Sequence, residues 1–190
     1  MPTRSRRTPM KTHQFTLIVE GPDLQEETNL DALFEAGCDD ATIGRVGAIQ
    51  YLDFDRAAAT FADAVFGAAE AVESAVIGTR VVHLEPDELV TMAEIADRTG
   101  RTRESVRLLI SGGRGPGGFP APATHFKRRQ RMWRWQEVAA WFARSQGAAG
   151  AVDDPATAQF ITAFNAGLQW RAAHDRVSAE HRRRIFKLVG

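Results

Sequence analysis

Thr91-Met-Ala-Glu-Ile-Ala-Asp-Arg-Thr-Gly-Arg-Thr-Arg-Glu-Ser-Val-Arg-Leu-Leu-Ile110 reads as two short helices around a tight turn. Thr91 can cap the first helix, with Glu94 at the capping-box position three residues on. Ile95 and Ala96 are expected to face inward. Gly100 leaves the first helix, because a left-handed backbone carries no Cβ penalty at glycine. Thr102 can cap the second helix, whose buried side is Val106, Leu109 and Ile110. A small residue at 96, glycine four positions on, and apolar residues at 106 and 109 is helix-turn-helix spacing. Arg101, Arg103 and Arg107 on or beside the second helix point to DNA as the partner.

Ser111-Gly-Gly-Arg-Gly-Pro-Gly-Gly118 follows as a dense glycine connector. It is not a nucleotide-binding loop, since no Gly-Lys-Ser/Thr follows and no strand precedes. Phe119-Pro-Ala-Pro122 reads as the first edge of a wing, extended because proline stays out of ladders. His125–Trp135 is expected to be a hairpin with Lys127, Arg128, Arg129 and Arg131 at a basic tip. On a strand Trp133 and Trp135 share one face and Arg134 takes the other. These tryptophans, with Trp141, are expected in the core. Gln136–Phe142 is a helix closing that core with Val138, Trp141 and Phe142.

Thr102-Arg-Glu-Ser-Val-Arg-Leu-Leu109, Gly118-Phe-Pro-Ala-Pro122 and Met132-Trp-Arg-Trp-Gln-Glu-Val-Ala-Ala-Trp-Phe142 together resemble the MerR-like winged helix-turn-helix superfamily. Within it, residues 89–143 are most similar to the small excisionase and AlpA-type regulators. Arg101 stands where that group more usually has a hydrophobic residue. The resemblance implies that the second helix enters the major groove and that the wing tracks a neighbouring groove or the backbone. The helix-turn-helix register then turns Thr102, Arg103, Glu104 and Arg107 outward. Arg103 suits a bidentate guanine contact at O6 and N7. Glu104 either takes a cytosine amino group or pairs with a nearby arginine, and the pairing is favoured. The resemblance gives Arg107 a phosphate, and Arg114, Lys127, Arg128, Arg129 and Arg131 suit further phosphate contacts.

In front of this segment the chain reads β-α-β-β-α-β. The strands are 13–20, 41–46, 48–54 and 79–84. The first helix is capped by Thr28 or Asn29 and carries Leu30, Leu33 and Phe34; the second spans 57–76. That order is the ferredoxin-like one, suited to dimerisation, protein contact or small-ligand sensing. Asp39, Asp40, Asp53 and Asp55 read as solvated acids, not metal ligands. After Gly147-Ala-Ala-Gly150, residues 155–174 and 178–189 read as helices. Phe160, Ile161, Phe164 and Leu168 form one apolar stripe, and Ile185, Phe186 and Val189 another, expected as dimer contacts or a brace across the domains. The fold class is therefore α+β, in four parts: a flexible basic arm (1–12), an acidic ferredoxin-like domain (13–86), a winged helix-turn-helix domain (89–145) and C-terminal helices (153–190).

A formal net charge of zero hides a division. Residues 12–91 carry three arginines against sixteen carboxylates, a balance of −13, whereas residues 92–146 carry eleven cations against four carboxylates, a balance of +7. An acidic half joined to a basic half suggests a polyanion-binding domain attached to one that avoids the polyanion. No apolar run approaches the ~20 residues a membrane helix needs, and the first residues lack the apolar core of a signal peptide. Cys38, the one cysteine, is expected to be a small buried residue, and the compartment the cytoplasm. The histidines are scattered and no serine has a nucleophile–base motif, so an enzyme is not expected, nor a cofactor or metal. The function expected is a homodimeric, sequence-specific regulator of transcription, a repressor, on double-stranded DNA. Two alternatives are an antitoxin-type autoregulator whose acidic domain holds a protein partner, and an excisionase-like architectural DNA-binding protein.

Overall fold

Alternation builds the first strand, β1 (Lys11–Glu20): Phe15, Leu17 and Val19 are buried, whereas Gln14 is exposed and Thr16 only partly covered. The computed structural model describes residues 9–124, 131–146 and 154–189 and sets β1 in a four-stranded sheet. Its companions are β2 (Ala41–Val46), β3 (Ile49–Ala58) and β4 (Arg80–Glu85), in the order β2-β3-β1-β4 with every neighbouring pair antiparallel. Phe15 stands opposite Phe54, Leu17 between Leu52 and Leu84, and Val19 beside Val81. These cross-strand pairs give the sheet one apolar face.

Two helices connect strands that are not neighbours: α1 (Glu27–Glu35) leads from β1 to β2, and α2 (Phe61–Ala75) from β3 to β4. Thr60 caps α2 by accepting from the Asp63 amide at 3.1 Å, and Ala64, Val65, Ala68 and Val72 form its buried stripe. Three boundaries differ from the sequence reading. α2 starts at Phe61, not Ala57, because residues 55–58 continue β3 against Lys11–Gln14. For the same reason Lys11 and Thr12 belong to a strand and not to the basic arm; residues 1–8 lie outside the described residues. α1 starts at Glu27 without a side-chain cap, which puts Thr28 and Asn29 inside the helix, where the Asn29 Nδ2 donates to the Asp23 carbonyl at 2.7 Å. On the opposite sheet face Tyr51 lies across Gly44, where a Cβ would collide with the ring.

The chain divides into two compact units, Met1–Glu85 with Phe164–Gly190, and Pro86–Ala163. The segment 153–190 is thus shared between them. Helix α6 (Pro155–His174) buries Ala158, Ile161, Asn165 and Leu168, so the stripe runs through Ile161 and Asn165 while Phe160 and Phe164 are half-buried. Asn165 explains the offset. Its carboxamide accepts from the Leu84 amide at 2.8 Å and donates to the Leu84 carbonyl at 2.9 Å. Glu73 accepts from the Val81 amide at 2.8 Å, and Arg171 donates to both the Val81 carbonyl and Glu73. Side chains therefore satisfy the free edge of β4, which an edge strand otherwise offers to any other chain. Helix α7 (Ala179–Val189) buries no residue, and Phe186 and Val189 are exposed.

In the second unit, β5 (Leu89–Thr91) precedes α3 (Met92–Arg98) and α4 (Arg103–Ile110), and β6 (Met132–Arg134) precedes α5 (Trp135–Gln146). β5 and β6 pair antiparallel, and Thr124 bridges Met132 from the other side. Phe119–Pro122, expected as the first edge of the wing, is not a strand; pairing begins at Ala123, whose amide donates to the Met132 carbonyl at 2.8 Å. Pro120 and Pro122 have no N–H for a ladder, and Phe119 turns inward onto Trp141, ring centroids 5.0 Å apart. The hairpin expected over His125–Trp135 falls in large part on residues 125–130, which lie outside the described residues. Trp135 begins α5 where alternation predicts a strand, since its amide already donates to the Glu88 carbonyl at 2.7 Å and ends the ladder. Trp133, Trp135, Trp141, Val138 and Phe142 are all buried in one core with Ile95, Ala96, Val106 and Leu109.

Candidate nucleic-acid interface

The pair α3–α4 is held by local chemistry that the sequence spells out. Thr91 and Glu94 form a capping box: the Thr91 amide donates to Glu94 at 2.6 Å and the Glu94 amide to the Thr91 hydroxyl at 3.3 Å. α3 ends where the Thr99 hydroxyl donates to the Ile95 carbonyl at 2.6 Å and Gly100 takes φ +61°. A left-handed residue there lets the Arg101 amide reach the Ala96 carbonyl at 2.9 Å and turns the chain. Thr102 then caps α4, accepting from the Ser105 amide at 3.2 Å. With Val106 and Leu109 buried and Ile110 half-buried, Thr102, Arg103, Glu104 and Arg107 are left exposed.

The exposed cations differ in what they touch. Arg103 has no hydrogen bond or ion pair among the described residues. Arg107 is held by Glu104 in a bidentate pair, 2.8 and 2.7 Å. That hydrogen bond keeps the Glu104 carboxyl below the usual carboxylate range and raises Arg107 above its ordinary value. Both groups are open to water, so the pair orients Arg107 more than it stabilises the fold. Arg101 turns away from this face: its guanidinium lies over the Phe142 ring, 5.3 Å from the centroid, and the residue is half-buried. A guanidinium over an aromatic face is a cation–π contact, which lets a charged residue sit half-buried here.

Arg107 and Arg131 come together at a hollow of about 460 Å³ floored by Met92, Ile110 and Trp133. Arg114 is exposed in the glycine connector and does not line that hollow. The connector is anchored to the core by two indoles: Trp141 donates to the Gly117 carbonyl at 3.0 Å and Trp133 to the Pro120 carbonyl at 3.1 Å. Lys127, Arg128 and Arg129 lie outside the described residues. Two further arginines belong to this surface description. Arg134 is exposed on β6 while its neighbour Trp133 is buried, a placement that the strand alternation signals. Arg98 is fixed over Trp135, 5.1 Å from the ring, and donates to the Asp87 carbonyl at 3.0 Å; no spacing in the sequence marks that contact.

The chain matches no protein family, no curated protein and no solved structure. Its chemistry is therefore read from the geometry. Among the described residues no group of three or more His, Cys, Asp or Glu side chains gathers to hold a metal ion, and no helix is long and apolar enough to cross a membrane. Three of the four acids that invite a metal reading are engaged: Asp40 takes both arms of Arg56 at 2.8 Å, Asp53 accepts from Thr16 at 2.6 Å and Asp55 from Gln14 at 2.7 Å. What the second unit presents is exposed arginines, Arg103 and Arg107 on α4 and Arg134 on β6, on elements that each bury an apolar side. Such a surface can bind phosphates and read base edges.

Proposed function

We propose that this chain is a sequence-specific regulator of transcription, a homodimeric repressor that binds double-stranded DNA through a MerR-like winged helix-turn-helix domain. One observation carries the reading: α4 buries Val106 and Leu109 and leaves Arg103 and Arg107 exposed. A helix with that division, set by a capped turn at Gly100, suits entry into the major groove, where Arg103 meets guanine and Arg107 a phosphate. The winged reading draws support from the pairing of β6 with β5 on one side and with Thr124 on the other. The ferredoxin-like reading of the first unit draws support from the antiparallel order β2-β3-β1-β4 with two crossover helices. Arg114, Arg131 and the tip residues Lys127, Arg128 and Arg129 supply further phosphate contacts.

The test is selection of duplexes from a randomised pool by the full-length protein, followed by anisotropy titrations. The expected result is one enriched sequence, bound at least about 10³-fold more tightly than random duplex. Tight binding to all duplexes alike replaces this reading with the architectural, excisionase-like one. Absence of binding to any duplex overturns both.

A further inference from the structure

The chain treats the two edges of its four-stranded sheet differently. β4 is closed by Glu73, Arg171 and Asn165, as described above. β2, at the other edge, has no partner on its outer side among the described residues. The Asp55 amide donates to the Asp40 carbonyl at 3.0 Å. Antiparallel pairing alternates from that point, which turns the amides and carbonyls of Ile43 and Arg45 outward. Beside them a groove of about 320 Å³ runs between α1 and β2, with Leu30, Phe34 and Ile43 among its walls and Asp31 and Asp39 at its rim. Phe34 is 68% exposed and Leu30 39%, although both belong to the apolar pattern of α1.

We propose that the β2 edge is a docking site for an extended segment of a partner protein. The segment adds as a fifth strand, sets apolar side chains against Leu30 and Phe34, and brings lysines or arginines to Asp31 and Asp39. The inference goes beyond DNA binding and does not depend on it. An extended backbone is selected because the outward groups of Ile43 and Arg45 need main-chain partners, which a helix lying in the groove does not offer. Charge complementarity selects the partner's sign. Every ionised side chain of α1, Glu27, Asp31 and Glu35, is a carboxylate. Arg45, the cation of β2, is already paired with Asp23 at 2.6 Å. A second copy docked about a two-fold axis would face these carboxylates with themselves, because such an interface repeats the same patch. Nucleic acid meets the same repulsion.

Random displayed peptides of about ten residues, near the upper length of a strand, serve as the probe, selected on the full-length protein. Winners are retitrated against Ile43→Pro and Phe34→Asp. The Ile43 amide faces outward, so proline removes a donor meant for the partner and not one used by β3. Phe34 is exposed, so its replacement by aspartate leaves the core intact; if circular dichroism shows that the proline variant is unfolded, Phe34→Asp decides alone. The expected winners alternate apolar residues and carry lysine or arginine, and lose about tenfold or more in affinity on the variants. They also slow hydrogen exchange at Ile43 and Arg45. The proposal is overturned by winners that are acidic or helically spaced, by binding indifferent to the substitutions, or by no winners. A wild-type dimer that Phe34→Asp disperses also overturns it, and assigns the edge to a second copy.

Discussion

Arg103 and Arg107 stand one helical turn apart on the same face of α4 in opposite chemical situations. Arg107 is oriented by Glu104 through two short hydrogen bonds, whereas Arg103 has no protein partner among the described residues. The lowered pKa of Glu104 fixes the sign of the pH effect. The pair is complete above the ordinary carboxylate range and is lost only as pH falls through the lowered value, so Arg107 is held at neutral pH. A held arginine suits a fixed phosphate, and an untethered one can settle its planar fork on a base. Arg103→Ala is therefore expected to cost about 1–3 kcal/mol on the selected duplex and to relax preference at one base pair. Anisotropy titrations on the selected duplex and its single-base variants read this directly. An equal loss on random duplex reduces Arg103 to a phosphate contact. Arg101 shows where residue-level reading stops: its place beside α4 counts it among the expected DNA contacts, but no spacing in the sequence marks the position of its guanidinium over the Phe142 ring.

At the scale of elements, Asn165 is the side chain on which the edge of β4 depends. Asn165→Leu leaves the Leu84 amide and carbonyl buried without partners, at a cost of about 1–3 kcal/mol for each group. Urea denaturation is expected to show a lower midpoint, and an unchanged midpoint would mean that the edge does not need the carboxamide. No sequence pattern marks this contact, since Leu84 and Asn165 are 81 positions apart. What is legible is local. Thr91, Glu94, Gly100 and Thr102 announce the boundaries of α3 and α4 because each acts within four residues of itself. The strands of the first unit and the burial of Trp133, Trp135 and Trp141 follow from alternation and size in the same way. Misread elements involve a distant competitor. β3 keeps residues 55–58 because β1 pairs with them. Phe119 leaves the expected strand for the aromatic core.

Across the whole molecule, a net charge of zero coexists with a balance of −13 over residues 12–91 and +7 over residues 92–146. Under the proposed function, overall charge predicts nothing about the salt sensitivity of DNA binding, which the basic segment is expected to govern. Replacing Lys127, Arg128, Arg129 and Arg131 by alanine is expected to flatten the plot of log affinity against log salt. The slope should fall by about 0.9 for each phosphate contact removed. A slope equal to that of the parent protein would take these four residues out of the proposed interface. The aromatic residues divide between the units too. Three of the four tryptophans, Trp133, Trp135 and Trp141, occupy the core of the second unit, whereas Trp170 and Tyr51, the one tyrosine of the chain, belong to the first. The Tyr51 ring rests on bare backbone at Gly44, in the strand whose outer edge is open. That ring is an optical gauge of the strand: the difference in near-ultraviolet dichroism between the parent protein and Tyr51→Phe separates the one phenol from the four tryptophans and follows whether β2 stays zipped to β3.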